Sequence, residues 1–277
     1  MHCEEIIAAL AVKYSGDWEK IMYALRRRQL ARLDAEDEGE DYRADYKLQP
    51  YLDILNRSSY KYVTILSPDY PELLKQREKP PFVLFYYGDW SLIQNFQNNC
   101  AVVGSRECTE YGQTVTEEIV KEVAKKYTIV SGMALGVDTV AHQTAMDIGG
   151  KTIAVLGSGI DYCYPYDNKL LYKKLKREQL VISEYPGRVP PTHLSFPRRN
   201  RIIAAISKGV IVTEAYAKSG TLSTVWFAHE AQRIVMCVPY QAGLGSECNR
   251  LISDGGAFLV EDGKRAIELL KSERHLY

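Results

Sequence analysis

The sequence predicts an α/β fold: a doubly wound, mostly parallel sheet preceded by a small helical module. Three observations carry this. From Cys100 onward, short apolar runs rich in Val and Ile alternate with amphipathic segments of helical length. Each run is apolar on both faces, as strands buried on two sides require. The returns that follow the first six of these seven runs are also supplied with small residues and hydroxyls, the residues of strand-to-helix turns.

The elements follow in order. Over residues 4–34, Ile6, Ile7, Leu10 and Ala11, then Trp18, Ile21, Met22 and Leu25, recur at three- and four-residue steps and predict two helices. Gly16 and Asp17 divide them, with Asp17 as an N-cap. Residues 34–50, "DAEDEGEDYRADYKLQP", are acidic and read as a loop or a weak helix. Pro68, Pro71, Pro80 and Pro81 break the next stretch into short pieces, with "FVLFYYGD" as a strand. Residues 1–75 are therefore expected to form a helical module and residues 76–277 the larger domain. Seven further strands are expected at 100–105, 127–132, 152–159, 180–185, 209–215, 233–239 and 257–260. Helices are expected at 110–126, 136–149, 167–178, 198–208, 220–232, 246–253 and 262–272, joined by right-handed crossovers.

Composition narrows the function. The 277 residues hold 35 basic and 35 acidic side chains, so the formal net charge is zero. Anion binding must then come from local clusters rather than from bulk basicity. Six cysteines lie at 3, 100, 108, 163, 237 and 248 without a CxxC pair, so no zinc knuckle or redox pair is signalled. Cys100, Cys163 and Cys237 sit in or beside apolar strands and read as buried free thiols, which fits a cytoplasmic protein. No signal peptide and no apolar run of about 18 residues is apparent.

Ligands of an open parallel sheet bind beyond the carboxyl ends of its strands. The residues there are Gly104, Ser105 and Arg106; Ser131, Gly132, Gly136 and Asp138; Gly157, Ser158 and Gly159; and Ser219, Gly220 and Thr221. Most of these turns feed a helix start, where unpaired N–H groups and the helix dipole favour an anion, most often phosphate. "SFPRRNRI" adds Arg198, Arg199, Asn200 and Arg201 at the head of another predicted helix. Together they predict a phosphate-binding crest. A second reading of the arginines stands beside it: Glu184 and Glu214, each at the end of an apolar strand, are their expected internal partners. His142 lies four residues after Asp138, a weak metal-pair spacing that reads better as an ordinary helical residue, and His193 and His229 are isolated with no ligand spacing. Tyr162, Tyr164 and Tyr166 in "DYCYPYDN" either stack on bases or pack at the sheet rim. In "NKLLYKKLKRE", Lys169 faces the crest and the later lysines form a solvated face.

Taken together, "VVGSR", "IVSGMALGVDTVAH", "TIAVLGSGIDYCYPYDN", "LVISEYP", "FPRRNRIIAAISKGVIVTEA" and "SGTLST" resemble, in order and spacing, the DprA/Smf family of DNA-processing proteins. The resemblance covers roughly residues 60–260. It implies an extended Rossmann-like core, with residues 1–75 similar in character to the SAM-like module that often precedes it. It implies single-stranded DNA binding, a homodimer, and loading of the RecA recombinase onto incoming DNA in natural transformation, with no catalysed reaction and no cofactor. Arg106 of "GSR" matches the family's DNA-contacting arginine, and Ser131 and Gly132 belong to the same pocket. Arg199, Asn200 and Arg201 match its "F-P-x-R-N-R" stretch. The family carries a lysine near "YP…N"; here Tyr166 and Asp167 fill that stretch and Lys169 is the first lysine. The winged-helix-like domain that some members add at the C-terminus is expected to be absent.

Two rival readings share the same pocket. One is a phosphoribohydrolase of the lysine-decarboxylase-like Rossmann group, acting on nucleoside monophosphates. Its "PGGxGTxxE"-like loop is replaced here by "KSGTLST", with Ser223 and Thr224 following the Gly-Thr pair, which argues against it. The other is a sensor that binds one mononucleotide.

Overall fold

The computed structural model describes residues 2–34, 47–217, 219–241 and 243–272. Residues 35–46, most of the acidic stretch expected to be a loop or weak helix, lie outside the described residues.

Among the described residues, nine strands form one sheet: β1 (Lys61–Thr64), β2 (Val83–Gly88), β3 (Asn99–Gly104), β4 (Thr128–Ser131), β5 (Thr152–Gly159), β6 (Leu180–Tyr185), β7 (Gly209–Glu214), β8 (Ile234–Cys237) and β9 (Phe258–Leu259). Their order is β1-β2-β6-β5-β4-β3-β7-β8-β9. β2 runs antiparallel to both β1 and β6, and every other pair is parallel. The strands expected from Val and Ile content are present. β1 was not expected; a single Val in "KYVT" gives it little apolar signal, and prolines follow it.

Eleven helices among the described residues cover the sheet: α1 (Cys3–Lys13), α2 (Trp18–Asp34), α3 (Gln49–Arg57), α4 (Glu72–Lys75), α5 (Glu110–Val123), α6 (Val137–Asp147), α7 (Lys169–Glu178), α8 (Ser195–Ala205), α9 (Thr221–Glu230), α10 (Glu247–Ser253) and α11 (Gly263–Lys271). Alternate strand residues point to opposite faces. Ala101, Val103, Val130 and Val155 pack with α8, α9 and α10. Cys100, Val102, Ile129 and Ile211 pack with α5, α6 and α11 on the other face. Ala154, Leu156 and Val181 continue that second face and receive α1, α3 and α7. α1 lies with Ile6, Ile7, Ala8, Ala9 and Leu10 buried in this cluster. Trp18 stacks on Phe82 at 5.4 Å and donates its Nε1–H to Pro80 O at 2.9 Å. The division expected at residue 75 falls between β1 and β2, which pair with each other. Cys100 and Cys237 are buried free thiols, whereas Cys163 is only half-buried.

One helix boundary differs from expectation with consequences for the site. α8 begins at Ser195, three residues before the expected start. Pro197 is tolerated in a first turn, where its missing N–H would have no partner. The arginines of "PRRNR" therefore sit in the body of the helix and not at its open end.

The core also holds an ionisable group with a defined pH response. Thr152 Oγ1 donates to Ile129 O at 2.8 Å, so it accepts from His142 Nδ1–H at 2.7 Å. That leaves His142 Nε2 unprotonated, buried and without a hydrogen-bond partner among the described residues. Burial, reinforced by the Arg199 charge, pushes the imidazole from 6.5 down to about 3. A depressed histidine binds its proton more readily in the unfolded chain, so stability falls as pH drops from about 6.5 toward about 3. We expect a loss of about 2 kcal/mol by about pH 5 from this group. Urea midpoints measured from pH 7 to pH 5 should fall more steeply in the wild type than in His142→Leu; parallel slopes would refute the assignment.

Candidate nucleic-acid interface

The chain leaves β3 for β4, β5 and β6 on one side, then returns to place β7 on the other. β3 and β7 therefore flank the point where the winding reverses, and the turns beyond them diverge and open a crevice. A cavity of about 460 Å³ lies there. Its walls are the turn after β3 (Gly104, Ser105, Arg106, Glu107), the turn after β7 (Tyr216, Ala217, Ser219, Gly220, Thr221) and one face of α8 (Phe196, Arg199, Asn200, Ile203). A side cavity of about 150 Å³ opens from it between Arg106, Phe196, Gly132, Leu135, Gly157 and Tyr164. Arg106, Ala134, Phe196 and Arg199 line both.

Arg106 is exposed, and its guanidinium lies 5.1 Å from the centroid of the Phe196 ring. Among the described residues, no carboxylate lies within ion-pair distance of it. The turn that carries it is held firmly. Ser105 N donates to Glu214 O at 2.8 Å, Val137 N donates to Ser105 O at 3.1 Å, and Ser105 Oγ donates to Glu107 O at 3.1 Å. Beyond Arg106, the buried Glu214 carboxylate accepts from Thr109 N at 3.1 Å, Thr109 Oγ1 at 2.9 Å and Tyr240 OH at 3.0 Å. Phe196 has room because Gly157 faces it: a Cβ there would lie 2.8 Å from the ring.

Arg199 has a different role. It is buried; its Nη1–H groups donate to Gly132 O and, at 2.7 Å, to Val155 O, and its Nε–H donates to Asn200 Oδ1 at 2.9 Å. Gly132 must be glycine here, because a Cβ would overlap the guanidinium. Burial, with the like charge of Arg106, pulls the Arg199 pKa down to about 10, while Asp138 opposes this; the group stays cationic at neutral pH. Asp138 is itself buried and accepts from Gly132 N at 3.1 Å and Ala134 N at 3.3 Å. Burial raises its pKa, against the pull of Arg199. Of the three Arg199 nitrogens, Nε and Nη1 are hydrogen-bonded and Nη2 makes no hydrogen bond among the described residues; Arg199 lines both cavities.

The other expected site residues divide. Gly104, Ser105, Asn200, Ser219, Gly220 and Thr221 line the crevice. Asn200 Nδ2 donates to Ser223 Oγ at 2.7 Å and Gly220 O at 3.3 Å, tying α8 to the start of α9. Thr221 Oγ1 donates to Gly104 O at 2.9 Å. Gly132 lines only the side cavity. Ser131 is buried behind it, with Oγ donating to Val102 O at 2.7 Å. Arg201 turns away from the crevice: its Nη2 meets both Glu184 oxygens, at 2.6 and 2.7 Å, which matches one of the two internal partners considered. Glu214, the other, meets no arginine within ion-pair distance among the described residues. Lys169 lines neither cavity; its Nζ donates to Tyr166 OH at 2.9 Å.

The crest of open helix starts needs a correction as well. At the head of α8, Ser195 N is taken by Thr192 O at 3.2 Å, and Pro197 has no N–H to offer. Val137 N at the head of α6 is taken by Ser105 O, and Thr221 N at the head of α9 by Ser219 Oγ at 3.2 Å. Positive charge in the crevice thus comes from Arg106 and Arg199 more than from unpaired N–H groups. The sequence reading missed Phe196 and Tyr216. Phe196 lies three residues before Arg199, on the same helix face, and that spacing is the signal that would have found it. Among the described residues, no cluster of three His, Cys, Asp or Glu could hold a metal ion. Among them, also, no helix is long and apolar enough to cross a membrane.

Comparison with known proteins bears on what this crevice is. The sequence profile of the family described as DNA recombination-mediator protein A matches residues 61–271. The chain belongs to this family. The DNA processing protein DprA of Streptococcus pneumoniae is 42% identical over 203 residues, which is 73% of this chain and 71% of that protein. The X-ray structure of DprA from the same species superposes with a TM-score of 0.75 at 38% identity, over 82% of this chain and 79% of that one. DprA of Helicobacter pylori, whose structure concerns its single-stranded DNA binding mode, superposes with a TM-score of 0.70 at 29% identity, over 77% of this chain and 96% of that one. Every turn that lines the crevice lies inside the matched region of this DprA-family chain.

Proposed function

We propose that this DprA-family protein binds single-stranded DNA in the crevice between β3 and β7. The observation that carries the reading is Arg106: exposed, without a carboxylate partner among the described residues, and set against Phe196 at the mouth of both cavities. A cation beside a ring at a cavity mouth suits a nucleotide whose base is free to leave its stack. The phosphate meets the guanidinium and the base meets the ring. Paired bases in a duplex offer no free face, so the site selects the unwound strand. The single-strand binding mode of the H. pylori relative supports the same reading. As a recombination mediator the protein would act without catalysing a reaction or holding a cofactor. It would present the strand to RecA recombinase during natural transformation, in the cytoplasm and as a homodimer. Two crevices on one strand would gain by effective concentration what one small footprint lacks.

The test is a titration with oligonucleotides of increasing length, single- and double-stranded, with and without RecA. We expect affinity to climb with length, to favour single strands, and to fall with salt with a log–log slope of about −0.7 per phosphate engaged. RecA filaments should nucleate faster on the bound strand. Affinity that stops rising at one nucleotide would instead mark a mononucleotide sensor, and release of free base would mark a hydrolase.

A further inference from the structure

We infer that Glu214 is the residue that positions Arg106: its buried carboxylate is a built-in anion at the head of α5 and fixes the turn that presents the arginine. This inference rests on the reading of the crevice as a single-strand site. Glu214 ends β7 and is fully buried. A carboxylate taken out of water needs a cation or several donors. Here it is held by neutral donors. Oε2 accepts from Thr109 Oγ1 at 2.9 Å, Tyr240 OH at 3.0 Å and Thr109 N at 3.1 Å, with the Cys108 thiol donating at 3.7 Å.

These donors make Glu214 part of a helix start. Thr109 is the N-cap of α5; its Oγ1 accepts from Gly112 N at 3.0 Å while donating to the carboxylate. Gly112, in the first turn, leaves the room that is needed, because a Cβ there would overlap Oε2. The carboxylate thus takes the position at a helix start that a phosphate takes in many nucleotide sites, and its charge suits the helix dipole. With that position filled from within, a phosphate of the strand is left to Arg106.

The same residue fastens both ends of the Arg106 turn. The register between β3 and β7 slips after Val103, which brings Glu214 opposite Gly104, where the turn begins. At the near end Ser105 N donates to Glu214 O at 2.8 Å, and at the far end Thr109 binds the Glu214 side chain. Only Arg106, Glu107 and Cys108 lie between, and Glu107 N is taken by Ser105 Oγ at 3.2 Å. Tyr240 braces the carboxylate from the other side; its ring meets Tyr111 edge-on at 4.9 Å, and Tyr111 OH donates to Pro239 O at 3.2 Å. Two residues after Glu214, Tyr216 lines the crevice opposite this turn. A turn ordered in advance spares the strand the cost of ordering it on binding.

The test measures oligo-dT affinity at several salt concentrations for Glu214→Gln, Thr109→Val and Thr109→Ser, each alone and combined with Arg106→Ala. All are compared at a temperature where thermal melts show them folded. Glu214→Gln, which removes the charge, and Thr109→Val, which removes the hydroxyl, should each weaken binding about fivefold. Both should move the salt slope toward that of Arg106→Ala. Thr109→Ser, which keeps both bonds, should restore the affinity. In the Arg106→Ala background neither change should weaken binding further, because Glu214 acts through the arginine. The same fivefold loss in that background would show that Glu214 supports the whole crevice, and would overturn the assignment. Wild-type affinity in folded Glu214→Gln and Thr109→Val would overturn it as well. Either result leaves the crevice reading standing as long as Arg106→Ala itself weakens binding; wild-type affinity in Arg106→Ala would overturn both. If Glu214→Gln does not fold, the Thr109 pair decides alone.

Discussion

Replacing Arg106 with alanine is expected to weaken single-strand binding about ten- to a hundredfold while leaving the folding midpoint unchanged. Hydrogen bonds to charged groups contribute about 1.5–3 kcal/mol, which converts to that range. The fold should not notice the loss. Arg106 is exposed and bonds to no carboxylate among the described residues, and its guanidinium lies against the face of Phe196. The turn around it keeps its shape through Ser105, Thr109 and Glu214, none of which bonds to the arginine side chain. The salt slope should fall by about 0.7, one phosphate fewer. Binding isotherms at several salt concentrations, beside a thermal melt, give both numbers. Wild-type affinity in a folded Arg106→Ala chain would remove this residue from the site and, with it, the observation on which the functional reading stands.

Arg199→Ala should behave in the opposite way, destabilising the protein by about 3–5 kcal/mol, the usual cost of stripping one partner from a buried charge. The guanidinium fills the space between β4, β5 and α8, where Gly132 O and Val155 O would lose their donor. Asp138 would lose the cation that offsets its burial. For a chain of this size the melting temperature should drop by about 10 °C or more. Arg199→Lys should recover only part of this, since an ammonium cannot reach two carbonyls and Asn200 Oδ1 through one planar fork. A melting temperature within about 1 °C of wild type for Arg199→Ala would show that the guanidinium does not hold the strand ends together.

The contrast between these two arginines shows where sequence reading stops. Arg106 stands alone after a strand, and its chain position alone puts it at the carboxyl edge of the sheet. Arg198, Arg199 and Arg201 look like one cluster on paper, yet successive helical residues turn by about 100°. Phe196, Arg199, Asn200 and Ile203 share the face toward the crevice. Leu194, Arg198 and Arg201 share a face toward Trp18, Trp226 and Phe227, across α8 from the crevice cavity, and Pro197 borders both. A shift of three residues in the helix start decided whether these guanidiniums met at one open end or were dealt out to two surfaces. The strands from β2 onward were legible because Val and Ile runs on both faces have no other common use. β1 was not, because a four-residue edge strand is held by its neighbour more than by its own composition. The internal satisfaction of the helix starts was equally hidden, since it depends on which carbonyl or hydroxyl folds back onto each N–H group.

The sheet ends in short margins on both sides. β1 offers four residues at one margin and β9 only two at the other. An incoming strand could form few ladder bonds on either, so copies of the chain have little backbone template for joining edge to edge. Any lasting union of two such molecules must be sealed by side chains from the helical layers, and its strength will answer to single substitutions there rather than to main-chain pairing.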